Sequence, residues 1–352
     1  MIGEDSSHLA DIASAFERSP FVLFLGAGVN GSLSPQWSGV LRTLQDIAFG
    51  HVAPSLPWVS RKKFRKYCNS LSYETQAEIC KLLLDAAYEP HLKRCIYSAP
   101  AKRRTHGPIP GKRFDRGALD KYIKSPTSKG RSARKYELLS HVARLSQHPN
   151  VAAVLTLNYD NYLEMSIESL IESRSKKGGI SPPRKPHSVP GSGRYVAPNY
   201  SSLPIHHIHG FLPYPTPTLP EDSEDIVLSQ DEYIAAFNAG NDVTSSTAIH
   251  YLANYPALFI GLSMCDWNLL RMLRASMRGN RSHTHFCLMK SDGELDRIRV
   301  SLLERYGVSV VLCHPEKSDS SDSFAAVRRV TQHLCQTLET GGPHAKQPRA
   351  PE

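Results

Sequence analysis

The sequence contains no apolar run of the roughly 18–20 residues that a membrane-spanning helix needs. It is therefore not expected to contact a membrane. It also lacks a secretory signal at its start. Residues 1–8 are polar and acidic, with no basic patch ahead of an apolar stretch. Cysteine is sparse and unpatterned. The seven, at 68, 80, 95, 265, 287, 313 and 335, include no Cys-x-x-Cys pair. That argues against a structural zinc site and against a disulfide framework, and the expected compartment is a reducing cytoplasm. Cys287 and Cys313 lie inside apolar strand-like runs and read as small core residues. No internal repeat is present.

Negative charge is the scarcer sign: 33 Asp and Glu stand against 42 Lys and Arg, a net charge of +9. The excess is local. Between Lys102 and Lys135 twelve Lys or Arg face only Asp115 and Asp120. Such a stretch serves either as a surface for nucleic acid or an acidic partner, or as a solvated loop and helix face. It lacks the regular aromatic interleaving of a base-stacking surface.

What is present is a series of short buried strands. The run FVLFL at 21–25 is unbroken and apolar, as in a strand covered on both faces. Residues 151–157, 203–208, 257–262, 285–289 and 308–312 read likewise. Helical spacing marks 8–18, 37–49, 161–172, 267–277 and 324–338. Residues 51–150 have helical periodicity around a basic, Pro- and Gly-containing segment, and read as a helical insertion with a basic loop. Residues 172–200 read as a long loop. Ser229 and Glu232 have the spacing of a capping box. The expected fold is α/β: a doubly wound, mainly parallel, Rossmann-like sheet with a helical insertion. The main domain spans 8–338, and 341–352 form a disordered tail.

Polar residues gather where the strands end. Gly26-Ala27-Gly28-Val29-Asn30-Gly31 fits G-x-G-x-x-G between a strand and a helix. Glycines there let the backbone approach a pyrophosphate, although the same pattern also makes a ligand-free tight turn. The acidic partner of a dehydrogenase site falls by spacing on Asp46, inside a helical stretch, so that type of site is doubtful. Thr156-Leu157-Asn158-Tyr159-Asp160 places Asn158 and Asp160 on one side of an extended segment. They could hold a ribose and a water, or cap the next helix. His206, His207 and His209 invite a metal reading, but no carboxylate spacing completes a site, and no metal is expected. His209, at a strand end before Gly210, suits a general base better. In Gly261-Leu262-Ser263, the hydroxyl suits a phosphate or ribose. Asp266 suits either a ligand or the cap of the next helix.

In this order the four motifs resemble the sirtuin superfamily, and more closely the sirtuin-like domains of bacterial anti-phage defence proteins. The resemblance implies NAD binding. It places Gly26, Ala27, Gly28 and Ser263 at the phosphates, with Asn30, Thr156 and Gly261 in the same binding set. It places Asn158 and Asp160 at the nicotinamide ribose and makes His209 the catalytic histidine. The chain lacks the four-cysteine zinc ribbon of protein-deacylating sirtuins, and no acyl-lysine-clamping strand is recognisable. Both departures point to the defence-type domains, which hydrolyse NAD to ADP-ribose and nicotinamide. The expectation is an NAD hydrolase acting in abortive infection, activated by a separate partner or sensor protein or by homo-oligomerisation. The alternatives are a nucleotide-sensing regulatory subunit, an NAD-dependent transferase, or a nucleic-acid-binding subunit using the basic stretch.

Overall fold

A computed structural model describes residues 3–31, 33, 37–55, 57–99, 111–112, 116–124, 135–175, 183–190, 201–214, 226–229, 231–234, 243–277, 284–316 and 324–339. Most of the basic stretch between 102 and 135, the tail 341–352 and much of 172–200 lie outside these residues.

The chain opens with helix α1 (Gly3–Arg18) and strand β1 (Phe21–Leu25). Helices α2 (Trp37–Val52), α3 (Arg61–Cys68), α4 (Tyr73–Leu84) and α5 (Tyr88–Tyr97) follow. Two short strands, β2 (Ser98–Ala99) and β3 (Gly111–Lys112), pair antiparallel. Helices α6 (Arg116–Lys124) and α7 (Glu137–Ser146) lead to β4 (Val151–Thr156). Then come α8 (Tyr162–Ser175), β5 (Lys185–Val189), β6 (Ser202–His207), α9 (Val243–Asn254) and β7 (Ala257–Ile260). The chain ends with α10 (Trp267–Ser276), β8 (His285–Lys290), α11 (Asp296–Glu304), β9 (Val308–Cys313) and α12 (Ala325–Glu339).

Seven strands form one sheet in the order β5-β6-β4-β1-β7-β8-β9, and every pairing is parallel. The fold is therefore a doubly wound, Rossmann-like α/β sheet. Both faces are covered, which explains the unbroken apolar runs. Along β1, Phe21, Leu23 and Leu25 enter one core with α1, α2 and α7. Val22 and Phe24 enter the other, with Tyr251 and Leu252 of α9 and Leu269, Met272 and Leu273 of α10. Each such side chain contributes on the order of 1.5–3 kcal/mol by leaving water.

The structure departs from the sequence reading at two places. Residues 185–189 form β5, inside the stretch read as loop. It is an edge strand, alternately exposed, and it carries Pro186, so neither an apolar run nor good strand propensity marks it. The short β2–β3 pair also forms within the basic, Pro- and Gly-containing segment that the sequence reads as a loop of the helical insertion.

β1 sits at the switch point. The chain leaves it for β4 on one side, and later reaches β7 on the other. In such sheets the loops beyond the carboxyl ends diverge there and leave a crevice. Among the described residues no helix is long and apolar enough to cross a membrane.

Candidate active site

The floor of the crevice is a crossing of two backbones. Gly26 N–H donates to the Ile260 carbonyl at 3.0 Å, and Gly28 N–H to the Gly261 carbonyl at 2.9 Å. A methyl on Gly26 would lie 2.5 Å from Leu262 Cδ2 and 2.6 Å from the Gly261 oxygen. One on Gly28 would lie 2.7 Å from Phe324 Cε1. Gly261 has φ +72, and its methyl would meet Val29 N at 2.4 Å. The glycines are thus required by close chain approach. The N–H groups of Gly26 and Gly28 are committed to the fold, while Ala27 between them is exposed and lines the cavity.

The loop after β4 is tied at several points. Thr156 Oγ1 donates to the Leu25 carbonyl at 3.4 Å and accepts from Asn158 N–H at 3.0 Å. Asn158 Nδ2 donates to the Gly26 carbonyl at 3.2 Å, which fixes the amide plane beside the glycine turn. Asp160 is buried. Its Oδ2 accepts from Asn30 Nδ2 at 2.7 Å, and its Oδ1 from Tyr162 N–H at 3.2 Å at the start of α8. Burial pushes the Asp160 carboxyl up to about 6, and Glu164 adds to this. Tyr162 N–H, His207 and Asn30 hold it from rising further.

The three histidines separate. His206 is buried against Tyr251, with Nε2 and the hydroxyl 3.3 Å apart, and burial lowers its pKa to about 4. His207, at the end of β6, lies between Glu164 Oε1 at 2.8 Å and the Asn158 carbonyl at 2.9 Å. His209 stands two residues beyond, before Gly210 at φ +94. Its ring packs edge-on to Tyr233 at 5.4 Å and beside Tyr159 at 6.3 Å. Burial lowers its pKa below the ordinary value, against the pull of Asp266, so the ring is neutral at neutral pH.

The loop after β7 is bent by two left-handed residues, Gly261 and Met264 at φ +54. Such a conformation is costly for a side chain as large as methionine and is held by the buried packing of Met264. Asp266 Oδ1 accepts from Asn268 and Leu269 N–H at 2.8 and 3.0 Å, so it caps α10 while facing the cavity. At the end of β8, Asp292 lies 3.4 Å from Lys290 Nζ and 3.1 Å from Arg299 Nη1. Arg299 also donates to the Ser263 carbonyl at 3.2 Å.

These loops enclose a cavity of about 570 Å³, within the range of small-molecule sites. Gly26, Ala27, Gly28, Asn158, Asp160, His209, Gly261 and Ser263 all line it. Two residues named from the sequence stand behind the wall: Asn30 supports Asp160, and Thr156 bridges the ends of β1 and β4. Asp46 is remote, paired with Arg65 on the helical side. The capping box forms, with Ser229 N–H on Glu232 Oε2 at 2.7 Å and Glu232 N–H on Ser229 Oγ at 3.4 Å. It sets the turn that carries Tyr233 to the cavity.

Sequence reasoning missed the aromatic wall of Trp37, Tyr159 and Tyr233, where Trp37 stacks on Tyr159 at 5.7 Å. Each aromatic reads as core until the topology is known. It also missed Lys290, the last residue of β8, and Arg299, which lies within α11 and carries no motif signal. The donor set suits a dinucleotide: a glycine floor, two cations, an amide, three carboxylates of which Asp292 pairs with the cations, a hydroxyl and flat aromatic surfaces. Among the described residues no three His, Cys, Asp or Glu side chains gather as a metal site.

Residues 152–311 match the family model of the SIR2-like domain. That stretch runs from the second residue of β4 into β9 and holds three of the four motifs, and the glycine turn after β1 lies outside it. No curated protein is similar enough to this chain to match it.

Proposed function

We propose, from the similarity of residues 152–311 to SIR2-like domains, that this chain binds NAD in the β1 crevice. We propose further that it hydrolyses NAD to ADP-ribose and nicotinamide. The observation that carries the reading is the convergence of Asn158, Asp160 and His209 on one cavity at the switch point.

The reaction breaks the bond between ribose C1′ and the nicotinamide nitrogen. The electron pair goes to that nitrogen, so the cationic ring leaves as neutral nicotinamide and needs no general acid. Water forms the new C1′–O bond and loses a proton. The barrier lies in the oxocarbenium-like ribose, as in glycoside cleavage. His209, neutral at neutral pH, takes the proton. Ionised Asp160 stabilises positive charge at the ribose. Asn158, its amide plane fixed on Gly26, orients the sugar or the water. The aromatic wall offers surfaces for nicotinamide, and Lys290 and Arg299 place positive charge where phosphates can lie.

An NAD hydrolase that is always active would deplete its own cell. The reading therefore includes low basal turnover, released by assembly or a separate partner, as in an abortive-infection effector. The test is release of nicotinamide and ADP-ribose from NAD by the purified chain, alone and with the products of neighbouring genes. His209→Ala and Asn158→Ala are expected to lower release by about 10²–10⁴-fold while leaving the circular-dichroism spectrum unchanged. Full turnover in either variant sinks the assignment. Tight NAD binding without release under any condition moves the function to nucleotide sensing.

A further inference from the structure

One buried group beside the cavity has no role in the chemistry above. His207 ends β6 and is almost wholly shielded from water, as is its neighbour Glu164 on α8. Its Nε2 lies 2.8 Å from Glu164 Oε1, and its Nδ1 lies 2.9 Å from the carbonyl oxygen of Asn158. A carbonyl oxygen can only accept, so Nδ1 carries a proton. Glu164 Oε1 also accepts from the Ser188 hydroxyl at 2.9 Å. Toward a carboxylate, which only accepts, Nε2 donates as well, so both ring nitrogens donate.

We propose that His207 is a positioning residue. As an imidazolium it bridges Glu164 to the Asn158 backbone and so holds the loop that presents Asn158 and Asp160 to the cavity.

The surroundings agree from every side. Burial alone would drive the proton off the ring. The Glu164 carboxylate on α8, the Asn158 carbonyl and Asp160 in the loop after β4 outweigh it and raise the His207 pKa above its ordinary value. Ser188 on β5 orients Glu164. The Phe211 ring, 4.3 Å away between centroids, closes the remaining side with no charge. His206, the adjacent cation candidate, is neutral because burial lowers its pKa to about 4. The bridge also explains why the loop after β4 holds its shape. Asn158 is fixed at its N–H by Thr156, at its side chain by Gly26 and at its carbonyl by His207. Removing the third tie frees the peptide plane that aims the amide. A shift of about 1 Å in a reacting group can cost about 10²-fold in rate.

The test begins with histidine-labelled, full-length protein in nitrogen-detected NMR. The His207 signals are identified by their loss in His207→Gln. Both ring nitrogens are expected to be protonated at neutral pH in the wild type. A neutral, single-tautomer His207 at that pH overturns the proposal. Glu164→Gln keeps the shape of the site and removes the charge. It is expected to leave the ring neutral and to speed solvent exchange of the Asn158 backbone amide by about tenfold or more. Unchanged exchange with the ring discharged also overturns the proposal.

The kinetic arm rests on the proposed hydrolysis. Glu164→Gln should lower kcat by about 10–10²-fold, leave the dissociation constant of NAD within about threefold, and move to lower pH the alkaline limb, where kcat falls as His207 loses its proton. Equal loss of binding and turnover, with the limb unmoved, means a merely structural pair. A wild type that binds NAD and releases no nicotinamide defeats the hydrolase reading alone, because the NMR arm still decides the role of His207.

Discussion

The carboxyl of Asp160 is held between two demands. Burial raises its pKa to about 6, while the hydrogen bonds from Asn30 and Tyr162 favour its ionised form. If the ionised form serves the reaction, kcat/KM should climb as pH rises through about 6. The limb of His209 lies lower than the ordinary histidine value, because burial depresses that ring. Asp160→Asn should remove the limb near 6 and lower the plateau, as read by nicotinamide release across pH. A profile that stays level through this range contradicts the role given to Asp160. Stability follows the opposite sign. A group whose pKa is raised on folding binds its proton more tightly when folded, so its contribution is greatest at low pH. It falls as pH rises from the ordinary carboxyl range toward about 6. Urea midpoints of the wild type should drop across that window more than those of Asp160→Asn.

Among the elements, the crossing of the β1 and β7 loops is the tightest constraint. Gly31 and Gly261 both have positive φ, but open space surrounds Gly31 and backbone surrounds Gly261. Gly31→Ala should cost about 1–3 kcal/mol, from backbone strain alone, because φ +53 with ψ −120 suits glycine rather than a side-chain residue. Gly261→Ala adds a collision with Val29 and should cost at least about 3 kcal/mol, measured by urea unfolding. Equal costs would mean that the crossing does not need its glycine. The same elements show what the sequence made legible. β1, β4 and β7 were readable because a strand buried on both faces is apolar almost throughout, and β8 and β9 because their apolar runs are broken at only a position or two. β5 was not, since an edge strand with one pairing partner tolerates Lys185 and Pro186. Asn158, Asp160, His209 and Ser263 were readable as polar residues that closely follow buried strands, where only pairing or use justifies them. The Glu164–His207 pair was not, because its partners are 43 residues apart and only the β4–β6 pairing brings them together. Trp37, Tyr159 and Tyr233 carry no signal that separates a cavity wall from a core.

At the scale of the whole molecule, the cavity is built from loops that leave β1, β4, β6, β7 and β8. A ligand seated there touches the centre of the sheet and stabilises the folded chain as a unit. Dinucleotide at a hundredfold excess over its dissociation constant should add about 2.7 kcal/mol to unfolding. Calorimetry or urea midpoints read this directly, and an unmoved midpoint at that excess rejects a dinucleotide site in the native protein. The same topology governs how the chain is made. β1 is central, yet its first neighbour, β4, begins at Val151. A ribosome adding about 5–20 residues per second leaves the FVLFL segment without a strand partner for on the order of ten seconds. During synthesis, the most apolar stretch of the future sheet is therefore the longest exposed, and chaperone capture of nascent chains should centre on it.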